Sequence, residues 1–262
     1  MRRIANHGLL GIRGRRPAVG VNRTLILCAH SAESARGRGA IAGLVNAVRR
    51  EARNLEVVDA LVDVQEPSLA RMVAETSGPR SVVPLMLAYD QQVGTHIVQA
   101  LSSDPAVTVN APLGPDWVLA EVGVRRLFEA GARSDDTIVL AADVVATDDR
   151  AVADVGKAAR LLSAVWGGRV HVGTLGGTDP ALADALDVAR AYGRRVVVST
   201  YLLTPGSVHD DIVAAGADVV TGPLLDGGPP DPRIVSLVLA RARARGSWLP
   251  VGEDPGSRLA HF

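Results

Sequence analysis

The sequence contains one pattern written twice, and this duplication constrains the fold more than any other feature. Residues 137–143 (TIVLAAD) align position for position with residues 24–30 (TLILCAH), an offset of 113 residues. The same offset aligns residues 179–182 (DPAL) with residues 66–69 (EPSL), so a proline recurs at the same place. Solenoid repeats have periods of roughly 20–50 residues, so a unit of this length predicts a duplicated domain.

Each copy alternates short β-branched runs with longer amphipathic segments, which is typical of βαβ units and a parallel sheet. In the first copy the pattern predicts strands near 24–30, 56–64, 81–88 and 106–111. Helices are predicted between them at about 35–53, 67–77, 93–102 and 115–130. Pro67 and Pro115 are expected in the first turns of two helices, where a missing N–H carries no cost. One module therefore comprises four strands and four helices.

The predicted fold class is α/β, with two tandem doubly wound modules whose four-stranded parallel sheets face each other across a cleft. The N-terminal module is predicted over 23–133 and the C-terminal module over 134–246. Residues 1–22 are predicted to be a disordered N-terminal tail. Their apolar stretch at 8–12 is too short for the hydrophobic region of a signal peptide. Residues 247–262 are predicted to form a C-terminal tail.

Charge and composition exclude several classes of partner. Lysine plus arginine equals aspartate plus glutamate at 28 each, so no net field attracts nucleic acid or an anionic membrane. No apolar run approaches the roughly 18 residues that a membrane span needs. The single cysteine, Cys28, lies in an apolar run, which favours a small buried residue over a metal ligand. We therefore expect a cytoplasmic protein, and a monomer, because the fused pair supplies what a dimer of single modules would.

Polar residues end the predicted strands of the first copy. His30 ends the first strand, Asp63 ends the second, and the third runs into residues 89–92 (YDQQ), with His96 one helical turn later. In open parallel sheets, ligands bind beyond the carboxyl ends of the strands. Two imidazoles and a carboxylate at one sheet edge suit a divalent metal such as iron or cobalt. Histidine also titrates near neutrality, so it can accept protons released when a metal is taken up.

Other α/β sites are less well supported. Residues 37–42 fit the dinucleotide-binding pattern G-x-G-x-x-A, and Asp63 follows about 20 residues later. Gly37 comes seven residues after His30, however, whereas that fingerprint needs its glycines in the tight turn directly after the strand. The sequence contains neither a P-loop nor a G-x-S-x-G nucleophile elbow.

Over roughly residues 24–245 the sequence resembles the CbiX-type class II chelatases, which insert iron or cobalt into sirohydrochlorin. The family's His-Gly-Ser-Arg segment is matched by residues 29–33 (AHSAE), and its acidic residue ahead of Pro-Ser-Leu is matched by Asp63 and residues 67–69. Its Pro-Leu-Phe-Leu segment is matched by residues 84–87 (PLML). The second half resembles the degenerate copy of two-module members, most clearly over residues 200–210. The resemblance implies that His30 is a metal ligand and the catalytic base, with Asp63 as a further metal ligand. Without the resemblance, His30 has the alternative of a hydrogen-bonded histidine at a strand end. Asp63 has the alternative of a cap on the loop before the proline-started helix.

Because the sequence departs from the family pattern, it does not decide which residues bind the metal. The family's second metal-binding histidine falls on Gln92, whose amide is a poor ligand for iron or cobalt. Either His96, four residues on, supplies the missing imidazole, or metal binding is weakened. In the second copy Asp143 replaces the histidine, and glycines stand at the acidic position, so that copy is expected to contribute shape more than chemistry.

The substrate side of the site is also altered. Ser31 replaces the family's glycine, and Glu33 replaces its arginine, a charge reversal that is awkward for a polycarboxylate tetrapyrrole. We take as candidate substrate-binding residues Ser31, Arg36, Arg38 and His209. Arg36 and Arg38 could equally well be solvent-exposed residues at the start of a helix. His209 could equally well belong to a helix cap.

The resemblance implies insertion of iron or cobalt into sirohydrochlorin for siroheme and cobalamin synthesis. The macrocycle would lie between the two modules, with no cofactor besides the divalent metal that is the substrate. The alternative is a chelatase-fold protein that binds a tetrapyrrole or a metal without catalysis. Gln92, Ser31 and Glu33 favour that alternative, whereas His30 and His96 favour activity.

Overall fold

In the computed structural model of the protein the described residues are 23–30, 34–62, 67–101, 104, 106–144, 149–176, 180–244 and 248. The strands are β1 (Arg23–Ala29), β2 (Leu55–Leu61), β3 (Arg80–Pro84), β4 (Val107–Val109), β5 (Thr137–Asp143), β6 (Val170–Leu175), β7 (Val196–Thr200) and β8 (Val219–Val220). The helices are α1 (Ala35–Glu51), α2 (Leu69–Glu75), α3 (Gln91–Leu101), α4 (Trp117–Glu129), α5 (Asp149–Trp166), α6 (Leu182–Arg190), α7 (Ser207–Ala214) and α8 (Pro232–Arg243).

The strands form two four-stranded sheets of the same topology, which confirms the predicted fold class. The first sheet has the order β2-β1-β3-β4, the second has β6-β5-β7-β8, and all pairings are parallel. An isolated bridge joins Leu61 to Ser68 in the first half, and its counterpart joins Thr174 to Ala181 in the second. The two bridges stand at the 113-residue offset found in the sequence, 174 against 61.

The central strands are buried on both faces, which explains their continuous apolar sequences. In β1, Leu25 and Leu27 pack into a core formed with α1 and α8, while Ile26 and Cys28 face the core formed with α2 and α3. Leu25 and Ile26 are completely buried, and burial of such a side chain contributes about 1.5–3 kcal/mol. Burial also raises the pKa of the Cys28 thiol to about 12, as expected for an inert core residue.

Two helix starts differ from the prediction. Pro67 and Pro115 precede the helices instead of standing in their first turns. Ser68 caps α2 by accepting from the Arg71 N–H at 3.4 Å, and Asp116 caps α4 by accepting from the Val118 N–H at 2.9 Å. Short polar side chains satisfy free N–H groups better than a proline can, so the helices begin after the caps.

The last helix of each half packs across the boundary between the halves. Helix α4 contacts α5 and β7 of the second half, and α8 contacts α1 and β3 of the first. Arg241 of α8 donates to the Pro112 carbonyl at 2.8 Å and to the Asp116 carboxylate at 2.8 Å. The buried Asn110 side chain donates to the Arg241 carbonyl at 2.6 Å. The boundary between the two modules at residue 133 stays a prediction. The contacts of α4 and α8 join the two halves of the chain into one packed unit.

No helix in the described ranges is long and apolar enough to cross a membrane.

Asp231 ties α8 to α4. It is 7% exposed, and its carboxylate accepts from the Arg233 backbone and guanidinium, at 2.8 to 3.1 Å, and from Arg125 at 3.1 Å. The hydrogen bond from the Arg233 side chain is the largest of the influences that lower the pKa of Asp231 to about 2. Because the folded-state pKa lies below the usual value of 3.8, the ionised carboxylate stabilises the fold above about pH 4. This contribution is lost as the pH falls towards 2.

We expect Asp231→Asn to lower the free energy of unfolding at neutral pH by about 1–3 kcal/mol, since a helix cap and charge-assisted hydrogen bonds are lost. The difference from the parent protein should narrow below pH 4, as measured by urea denaturation across a pH series. Asp187→Asn serves as the control, because the Asp187 side chain is 76% exposed and pairs with Arg190 of the same helix. A constant difference between parent and Asp231→Asn at every pH would contradict the prediction.

Candidate functional site

The carboxyl ends of the central strands of both sheets open into one cleft. Two adjoining cavities of about 690 and 270 Å³ lie there. Residues of both halves line them, and the two share Ala88, Asp90, Asp143 and Val144. A ligand in this cleft would therefore contact both halves of the duplicated chain.

His30 follows directly after β1 and lines the smaller cavity. The whole of β1 beyond Arg23 is buried, whereas His30 is exposed. The strand ends there because the chain leaves the core, so the imidazole is presented to solvent in the cleft. The predicted position of His30 at the cleft is thus observed.

Gln92 and His96 stand one turn apart on α3, and both line the larger cavity. The helix begins at Gln91, so the two side chains share a helical face, as the hypothesis about His96 required. Asp90 holds the start of α3, since its side chain accepts from the Val93 N–H at 3.0 Å and its carbonyl accepts from the Gly94 N–H at 2.9 Å. An imidazole at 96 can therefore reach the cavity that an imidazole at 92 would have faced.

Asp143 is the last residue of β5 and lines both cavities. It occupies the place in the second half that His30 has in the first. Desolvation by the surrounding protein raises the pKa of Asp143, and the carboxylates of Asp211 and Asp90 add to that rise. Gly176 lies against this strand end with a φ of +80°, and a Cβ there would come within 2.6 Å of the Val144 carbonyl oxygen. The second half therefore has no room for a side chain where the family pattern has an acidic residue.

The predicted metal ligands are only partly visible. Asp63 and Ser31 lie outside the described residues. Within the described part of the chain, no group of three His, Cys, Asp or Glu side chains is placed to hold a metal ion. The roles of His30, His96, Gln92 and Asp63 in metal binding stay predictions.

The predicted substrate-binding residues outside the cavities have other contacts. Arg36 pairs with Asp210 of the second half at 3.5 Å, and both side chains are exposed. Arg38 is exposed on the first turn of α1. His209 is half-buried, and its Nε2 lies 3.1 Å from the Thr221 carbonyl oxygen at the end of β8. Arg36, Arg38 and His209 do not line the cavities, so their contact with a substrate stays a prediction.

One residue that lines the cleft, Tyr201, and one that contacts its lining, Arg150, were not identified from the sequence. Tyr201 lines the smaller cavity, and its hydroxyl donates to the Leu87 carbonyl at 2.9 Å, joining the segments that follow β7 and β3. Burial raises the pKa of Tyr201, so the phenol stays protonated. Arg150 of α5 lies over the ring of Tyr89, with its Cζ 3.8 Å from the ring centroid. The signal for Tyr201 was present, because it replaces the apolar Leu85 in the alignment of the two copies.

The site thus belongs to a duplicated α/β protein, in which two parallel sheets of the same topology share a cleft at their strand ends. The CbiX family model matches residues 24–130. This match confirms the predicted resemblance of the first half of the chain to the CbiX-type class II chelatases.

Solved structures support the same fold over both modules. SirB from Bacillus subtilis with Fe3+ is 17% identical with a TM-score of 0.64, and the alignment covers 85% of this chain and 94% of that one. SirB from Bacillus subtilis subspecies spizizenii in complex with cobalt has the same identity and coverage and a TM-score of 0.67. CbiX of denitrifying bacteria is 17% identical with a TM-score of 0.59, and the alignment covers 83% of this chain and 98% of that one. A sequence search of curated proteins finds no match.

Proposed function

We propose that this protein inserts iron or cobalt into sirohydrochlorin, with the macrocycle in the cleft between the modules. The observation that carries the proposal is the exposed His30 at the end of β1 in a CbiX-family module, opening into a cleft that His96 also lines. The cobalt and iron in the similar SirB structures support the choice of metals. No cofactor besides the substrate metal is required.

The chemistry needs a ligand for the metal and an acceptor for protons. Insertion of a divalent ion replaces two pyrrole N–H protons, so a base must stand close to the ring nitrogens. A neutral imidazole at His30 can hold the incoming ion and, once the ion has passed to the ring nitrogens, take up one of the two protons. A second imidazole at His96 can take up the other proton, either directly or through water. Because the cleft has walls from both modules, it can hold a flat macrocycle near these groups.

The test is a metalation assay with the full chain. Sirohydrochlorin is incubated with iron(II) or cobalt(II) under anaerobic conditions, and the absorbance change on metalation is followed with and without protein. We expect a rate above the spontaneous one that is proportional to protein concentration. A rate equal to the spontaneous one with both metals would rule out the enzyme.

A non-catalytic tetrapyrrole-binding or metal-binding protein is the second candidate. Gln92 in place of the family's second histidine favours it. The two candidates differ in one respect that can be measured. A binding protein would bind the tetrapyrrole or the metal without raising the metalation rate.

The residues on α3 provide a direct test of the metal site. We expect Gln92→His to tighten cobalt(II) binding at least about tenfold, the lower end of what an outer-shell partner contributes to a metal site, because it places two imidazoles one turn apart. His96→Ala should weaken cobalt binding. Isothermal titration calorimetry with cobalt(II) measures both effects.

The matched control is Val98→His, which adds a histidine at an exposed position of the same helix, two residues from His96. Residues two apart do not face each other on a helix, so this variant should bind cobalt like the parent. If Val98→His tightens binding as much as Gln92→His, an added surface imidazole explains the effect and the α3 site is wrong.

A further inference from the structure

We propose that Arg150 is a specificity residue that binds a carboxylate of the macrocycle at the rim of the larger cavity. The inference rests on the proposed function for the chemical class of the ligand, a tetrapyrrole with many acidic side chains. It assigns a recognition role to the second half of the chain, which the comparison of the two copies had not indicated.

The position of Arg150 follows from its contacts. Arg150 lies in the first turn of α5, next to Ala151, which lines the larger cavity. Its guanidinium lies 3.8 Å from the ring centroid of Tyr89, which lines the same cavity. Arg150 itself is exposed. The guanidinium therefore stands at the outer edge of the cavity wall, where a ligand in the cleft would meet it.

Tyr89 is held in place by the same helix. Its backbone N–H donates to the Asp154 carboxylate at 2.9 Å, and Asp154 is one turn after Arg150 on α5. Two contacts from one helical face thus fix the ring and the guanidinium relative to each other. Because the guanidinium is already ordered on the ring, less side-chain entropy is lost when it binds a ligand.

The acidic lining of the larger cavity explains why a polycarboxylate ligand would need a positive charge at the rim, where Arg150 lies. The described residues that line the larger cavity include two carboxylates, Asp90 and Asp143, and neither lysine nor arginine. Asp211 is close enough to contribute to the raised pKa of Asp143. A polycarboxylate ligand would be repelled by this lining unless its acidic groups met a positive charge at the rim.

An arginine suits this task better than a lysine. The guanidinium is planar and carries five N–H donors, so it can stack on a ring and still bind a carboxylate with the donors along its edge. Such a charge-assisted, two-point hydrogen bond favours carboxylates over neutral groups. The geometry of Arg150 over Tyr89 therefore points to recognition of a carboxylate side chain rather than of the macrocycle plane.

The test uses metal-free porphyrins, so it does not depend on catalysis. Binding of uroporphyrin I, which has eight carboxylates, and of deuteroporphyrin IX, which has two, is measured by fluorescence titration. For Arg150→Gln we expect about a tenfold weaker affinity for uroporphyrin I, the value of one lost charge-assisted hydrogen bond, and a smaller loss for deuteroporphyrin IX. Arg71→Gln is the matched control, since Arg71 is an exposed arginine on α2 that pairs with Glu75.

The outcomes separate this inference from the proposed function. Equal losses for both porphyrins would show that Arg150 only holds Tyr89, and an equal loss in Arg71→Gln would show a general charge effect; either result overturns the inference. Failure of the parent protein to bind uroporphyrin I overturns it as well. If the parent fails to metalate sirohydrochlorin but Arg150→Gln shows the expected selective loss, the enzyme is refuted and the carboxylate site stands. A thermal unfolding curve like that of the parent confirms that the variant is folded.

Discussion

His30→Ala is expected to lower the rate of metal insertion by about 10²–10⁴-fold, the usual contribution of a positioned acid or base. His30 is exposed at the end of β1 and opens into the cleft, so its removal leaves the buried core intact. In the proposed mechanism the substitution removes a metal ligand and a proton acceptor at once. The measurement is the initial rate of sirohydrochlorin metalation at saturating metal, with the spontaneous rate subtracted.

His171→Ala is the control for this prediction. His171 lies on β6 at the edge of the second sheet, where its ring packs against that of Tyr192 in a tilted arrangement with the centroids 5.4 Å apart. It lines neither cavity of the cleft. Its loss should leave the metalation rate unchanged. Full activity in His30→Ala would refute the assignment of the base, and an equal loss in both variants would point to general instability.

The sequence was sufficient to predict the fold because its local patterns and its repeat agree. The apolar run of β1 and the amphipathic segment of α1 each indicated their own secondary structure, and the second copy repeated the order of elements. The seven residues aligned with the first copy at the 113-residue offset are the whole of β5. Two independent signals of this kind leave few alternatives to a pair of parallel sheets.

The packing of helices α4 and α8 across the boundary between the two halves could not be predicted from the sequence in the same way. On α4, Leu119 and Val122 pack into the core of the first sheet, while Val124 and Leu127 pack into that of the second. The sequence shows that several sides of this helix are apolar. It does not show which sheet each side meets, because that choice depends on contacts between distant parts of the chain.

For the candidate site, too, residues placed by one strand or helix could be predicted, whereas residues that depend on contacts between distant parts of the chain could not. The strand-end rule correctly placed His30, Gln92 and His96 at one cleft, since each depends on a single strand or helix. Arg150 and Tyr201 act through contacts with residues more than 60 positions away, at Tyr89 and Leu87. Such pairs become visible only when the two modules are packed together.

Gly114→Ala is expected to destabilise the protein by about 3 kcal/mol, the upper part of the range for overpacking in a core. A Cβ at this position would lie well inside van der Waals distance of the Leu87 carbonyl oxygen and 2.6 Å from the Tyr201 hydroxyl oxygen. These are the two atoms whose hydrogen bond joins the modules beneath the cleft. Neither can move away without breaking that bond, so the added methyl group must displace the backbone. Urea denaturation measures the loss.

Gly43→Ala in α1 provides a control of opposite sign. No atom lies within 4 Å of a Cβ built on Gly43, and alanine favours a helix interior over glycine, so this variant should gain about 0.4–1 kcal/mol. Tyr201→Phe separates the two parts of the Gly114 effect, because it removes the hydrogen bond without adding a methyl group. Its loss should be smaller, about 1–3 kcal/mol for an unpaired buried carbonyl. If Gly114→Ala is as stable as the parent protein, the segments after β3 and β7 are not in close contact, and the cleft must be wider than the structure shows.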